Sequence, residues 1–105
     1  MALERWLFLY TAPGLPPDGR VEVVRTAACT TTLAGFPSTD RAIAACGGGL
    51  ADTLGSAQLV ELCGGFASQH VAALRAIVGP NVPVGLVTYT GDICLLYTSP
   101  SPRDS

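Results

Sequence analysis

The sequence predicts a small α/β domain: a mainly parallel, four-stranded sheet wound with crossover helices into three layers. Three observations predict it. Short apolar runs of strand length recur along the chain, stretches with an apolar stripe at spacings of three and four lie between them, and Gly or Pro marks nearly every junction. Strands that alternate with helices pair in parallel, through right-handed connections that cover both faces of the sheet.

Each element has its own signal. Trp6-Leu7-Phe8-Leu9-Tyr10 reads as a buried strand, closed by Pro13-Gly14 and Pro16-Pro17. Residues 18–26 are ambiguous: Val21, Val23 and Val24 favour a strand, whereas Asp18 could cap a single turn of helix. The four-strand count takes the turn. Residues 28–36 hold the β-prone Thr30-Thr31-Thr32-Leu33 and close at Pro37. Ser38 then stands where a helix N-cap belongs, and Ile43, Cys46, Leu50 and Leu54 form one stripe behind it. Gly47-Gly48-Gly49 falls inside this helix, each Gly costing about 1 kcal/mol against Ala, so the helix is weak or broken there. Residues 58–63 are the next strand, and Gly64-Gly65 turns the chain into a helix opened by Ala67 or Ser68 and stopped by Gly79-Pro80. Residues 82–89 form the last strand, with Pro83 at its start, where a missing amide is tolerated.

The last twelve residues stand apart. Residues 94–104 match, in order, the translation of a transposase-end sequencing adapter. Such a segment is set aside before fold reasoning. The expectation is therefore one metagenomic domain over residues 1–93, truncated at its C-terminus, with a disordered, non-native tail over 94–105.

Composition narrows the function classes. The formal net charge is −2, and all six basic residues are Arg. No basic stripe offers itself to nucleic acid, and no apolar run is long enough to cross a bilayer. The apolar start of the chain lacks the small-residue cleavage site of a signal peptide. Outside the tail, Cys29, Cys46 and Cys63 are odd in number, widely spaced and accompanied by one histidine, His70. That pattern is neither a disulfide framework nor a zinc site, and it suits reduced thiols in a cytoplasmic protein. No metal is expected, and the residues name no cofactor. Four strands bury little surface, so a homo-oligomer would be the natural remedy.

Glu61-Leu62-Cys63-Gly64-Gly65-Phe66 is a distinctive turn following a strand. With Ala12-Pro13-Gly14 after the first strand and Val82-Pro83-Val84-Gly85 opening the last, the chain resembles an uncharacterised family of short bacterial and archaeal α/β proteins. The likeness spans about residues 4–92. It departs at Gly47-Gly48-Gly49, where such proteins carry ordinary helix formers. The resemblance implies the fold and no activity.

In an open parallel sheet, ligands bind beyond the carboxyl ends of the strands. Those ends carry Tyr10 and Thr11, Glu61 and Cys63, and Tyr89 and Asp92. The expected site is the strand-turn-helix of residues 61–68. Gly64 and Gly65 let the backbone approach a ligand, and the helix behind them directs free amides outward to a small anion. Cys63, Gly64, Gly65, Phe66, Ser68 and Tyr10 would line it. Two other readings stay open. One is an enzyme using Cys63 with Glu61 or His70 as acid or base. The other is a non-catalytic oligomeric or partner-binding module.

Overall fold

The computed structural model describes residues 2–88. Tyr89, Asp92 and the adapter-like segment 94–105 lie outside the described residues. The elements run β1 (Arg5–Thr11), β2 (Arg20–Arg25), β3 (Thr30–Phe36), α1 (Thr39–Cys46), α2 (Ala51–Ser56), β4 (Leu59–Leu62), α3 (Ser68–Val78) and β5 (Val84–Leu86). They form one five-stranded sheet in the order β2-β3-β1-β4-β5. All neighbouring strands pair in parallel except β2, which runs antiparallel to β3.

The mainly parallel α/β class is as expected, but the strand count is corrected from four to five. Residues 18–26 hold β2 rather than a helical turn. Arg20, Glu22 and Val24 alternate with Val21, Val23 and Arg25, and β3 supplies a ladder that a lone helical turn could not match. The turn joining β2 to β3 is closed by Thr26, whose Oγ1 accepts from the amides of Ala28 and Cys29 at 3.2 and 3.1 Å. Every residue of β2 is exposed, and its two arginines and glutamate blunt this sheet edge against pairing with another chain.

Among the described residues there are two layers where three are expected. Fully buried side chains fall on one parity of each central strand: Leu7 and Leu9, Ala34 and Phe36, Val60 and Leu62. α1 packs on β1, β3 and α3, and α3 packs on β5. Both parallel crossovers, β3 to β4 and β4 to β5, step in the same direction across the sheet. Right-handed connections then place every helix on one face. Among the described residues, the opposite face has no helix on it.

The long central helix is indeed broken at the glycines. α1 begins at Ser38, whose Oγ accepts from the Arg41 amide at 3.2 Å, and it ends at Gly47. α2 restarts after Leu50, so the stripe of Cys46, Leu50 and Leu54 still reaches the core from two short helices. Gly79, at φ +81°, ends α3. Among the described residues, no helix is long and apolar enough to cross a membrane.

Cys46 belongs to this core. It is fully buried, and burial pushes its thiol from 9.0 up to about 11. The folded state holds that proton to a higher pH than the unfolded chain does. Its contribution is therefore complete below pH 9 and is lost as pH rises towards 11. A shift of this size corresponds to roughly 2 to 3 kcal/mol. Denaturant titrations at pH 8 and pH 11 are expected to show that loss in the wild type and little of it in Cys46→Ala, measured against its own pH 8 value.

Candidate functional site

The 63–68 turn is open on its outer side. Gly64, Gly65, Ala67 and Ser68 are exposed, whereas Phe66 is buried and anchors the turn to the core. Gly65 must be glycine for a reason of space: a Cβ there would stand 2.7 Å from Oγ1 of Thr11. Its amide donates to Cys63 Sγ at 3.4 Å. His70, one turn into α3, has work of its own. Its Nδ1 accepts from the Ala67 amide at 2.8 Å, and its ring meets Phe66 edge-on at 5.5 Å. Ala67 has no side-chain acceptor to return the bond, so His70 alone caps this helix end. His70→Ala is expected to cost about 1 kcal/mol. For a domain of this size that is about 4–8 °C in melting temperature, readable by calorimetry.

The structure gathers some of the expected site residues and separates others. Cys63 joins Gly65, and Phe66 joins His70. The Glu61 carboxylate bonds to neither Cys63 nor His70; it lies over Gly85 on the helix-free face. The Tyr10 ring turns away from the turn and lies across Gly35 of β3. Ser68 is the first residue of α3, and its side chain makes no bond among the described residues. What the turn offers chemically is the amides of Gly64, Ser68 and Gln69, which have no acceptor among the described residues. No three His, Cys, Asp or Glu side chains among the described residues converge as a metal site would require.

The helix-free face holds what the sequence reading missed. Trp6, Phe8 and Tyr10 stand in a row along β1, the central strand. Their ring centroids are 6.3 Å apart at each step, tilted by 60° between Trp6 and Phe8 and nearly parallel, at 20°, between Phe8 and Tyr10. The register sets Thr31 and Leu59 beside Trp6, and Leu33 and Glu61 beside Phe8. All of these are half-buried, and among the described residues no helix covers them. Gly35 gives Tyr10 a flat seat, since a Cβ there would fall inside the phenol ring's contact distance. Glu61 is the only charged group on the central three strands of this face. Among the described residues its carboxylate has no hydrogen-bond or ion-pair partner. Arg5, the partner one might expect, is held instead by Glu4 and the Ser56 carbonyl.

Comparison with known proteins places the chain in sequence space. Residues 4–99 match the model of a family of unknown function, DUF6506. The chain belongs to the DUF6506 family. The match covers β1 to β5 and includes the 61–66 turn that carries the resemblance. It runs on to residue 99, past the point where the adapter-like segment begins, and so lends that segment's reading no support. No curated protein and no solved structure matches the chain.

Proposed function

We propose that this DUF6506 domain is a self-associating module in which two copies pack sheet to sheet through the helix-free face. The observation that carries the reading is the aromatic row Trp6, Phe8 and Tyr10 on the central strand, with no helix over it among the described residues. The five strands, of seven, six, seven, four and three residues, make a flat footprint of roughly 430 Å² at about 4.8 Å between strands and about 3.3 Å per residue. Surface relief adds to that projection, which is about half of the roughly 800 Å² per partner that stable interfaces bury. Aromatic residues at the centre are the usual composition of such a surface, and Glu61 beside Phe8 is the one charge there that a second copy would have to satisfy. The charged β2 edge disfavours association by strand addition, and the other edge, β5, offers only three residues for pairing among the described residues.

A two-fold axis along β1 lays β4 of one copy over β3 of the other. Glu61 then faces the side on which the second copy's Tyr10 hydroxyl lies over Gly35, and a hydroxyl is the donor an unpaired carboxylate needs. Sedimentation velocity over a range of protein concentrations tests the reading. A dimer that dissociates on dilution supports it, and a monomer at millimolar concentration overturns it.

A second reading keeps the small-anion seat at residues 61–68. It is supported by the free amides of Gly64, Ser68 and Gln69 at the start of an eleven-residue helix. In this reading, titration with inorganic phosphate moves the amide resonances of these three residues. Unmoved resonances at saturating phosphate would sink it.

A further inference from the structure

At the other end of the sheet, where β1 and β3 begin and β2 ends, a cleft of about 270 Å³ opens between the strands and α2. Arg25 pairs with Thr30 and Thr30 pairs with Arg5, so these three side chains form a row across β2, β3 and β1. Arg5 shares its parity with Leu7 and Leu9, which places the row on the helix-bearing side. Thr32, Thr53 and Ser56 complete the polar lining.

Each member is held differently. Arg5 is tied down. Its Nε donates to the Ser56 carbonyl at 2.8 Å, and the amides of Glu4 and Arg5 donate to Gln58 Oε1 at 2.6 and 2.9 Å. Among the described residues, the rest of its guanidinium meets only the exposed Glu4 carboxylate, at 3.6 Å. The Arg25 guanidinium has no hydrogen bond or ion pair among the described residues. Thr32 is 7% exposed and lines the cleft, yet its hydroxyl has no partner among the described residues. A buried hydroxyl without a partner costs free energy, and native proteins keep few of them. Capping of α2 accounts for Arg5 but not for Arg25 or Thr32.

We propose that this cleft binds a small oxyanion, a carboxylate or a phosphate, with Arg25 and Arg5 supplying the charge and Thr32 and Thr30 donating hydroxyl hydrogen bonds. Guanidinium groups match both oxyanions in geometry and donate in pairs. The volume lies at the low end for small-molecule clefts, which sets the ligand at a headgroup with a few carbons. Val23 and Ala57 supply the apolar wall for those carbons. Apart from Trp6, which borders both, the lining lies on the opposite side of the sheet from the aromatic face, so the charged and hydroxyl groups of the cleft do not depend on self-association.

Melting of the full chain is followed in sodium phosphate, in sodium malonate and in sodium chloride at matched ionic strength. A saturable rise in melting temperature with phosphate, malonate or both, beyond chloride, is the expected result, and the responding salt identifies the oxyanion. Arg25→Gln should weaken the apparent affinity at least tenfold while melting normally in chloride. Thr32→Val should melt higher in chloride, having lost the unpartnered hydroxyl, and should also lose at least tenfold in affinity. A purely structural Thr32 would give the first effect without the second. No salt-specific rise in the wild type, or a full response in both variants, overturns the proposal.

Discussion

Phe8→Thr is expected to weaken the sheet-to-sheet dimer by at least about 30-fold, the effect of removing a central aromatic anchor worth 2 kcal/mol or more. Phe8 sits mid-way along the central strand, with Trp6 and Tyr10 at either side and Leu33 and Glu61 in register across the neighbouring strands. Threonine is β-branched and, like phenylalanine, is favoured in strands, so the monomer's fold is largely preserved. Sedimentation velocity reads the change directly. Trp6, the one tryptophan in the chain, reads it a second way. Its emission should shift to the red as the wild type is diluted through its dissociation range, and should already be shifted in the variant. An Arg41→Glu control on the outer surface of α1 should leave both signals alone. Identical sedimentation of Phe8→Thr and wild type would remove the case for this interface.

Much of the fold was legible because local chemistry and packing agreed. Ser38 caps α1, Gly79 ends α3, and the glycine run does break the central helix. β2 was missed for a reason that can be named. Its alternation was present in the letters, but every residue is exposed, so no apolar run announced a strand. The third layer was over-read for the opposite reason. Trp6-Leu7-Phe8-Leu9-Tyr10 is apolar on both parities, as a strand covered on both faces would be. Sequence does not say whether the second cover comes from the chain's own helices or from elsewhere. The candidate site was legible in its backbone and not in its side chains. The 61–66 turn is where it was expected, but Glu61 and Tyr10 point to the helix-free face, and His70 is used as a cap. Arg5, Arg25 and Thr32 are twenty and seven positions apart in the chain, and only strand order brings them to one cleft.

Phe36→Ala is expected to cost about 3–5 kcal/mol, the usual loss for a buried aromatic truncated in a core. Phe36 is 1% exposed and is the last residue of β3. It lies on the helix-bearing face, and its ring crosses to Gly19, where it leaves no room for a Cβ. One side chain thus closes the gap between the sheet's edge and the chain entering β2. Neither neighbour can move in to fill the space. Gly19 has no side chain to offer and sits at φ +81°, and Ala34, the next inward residue on β3, is already fully buried. Small domains have total stabilities near the low end of about 5–15 kcal/mol, so the loss consumes much of the margin. At about 4–8 °C per kcal/mol, the melting temperature should fall by more than about 12 °C. Val21→Ala, at a position 49% exposed, should change it by far less. Because a dimer stabilises its folded subunits by mass action, both variants are best compared at a protein concentration where the wild type is monomeric. A Phe36→Ala protein melting within a few degrees of wild type under those conditions would mean that the β3 end and the Gly19 turn do not form one packed unit.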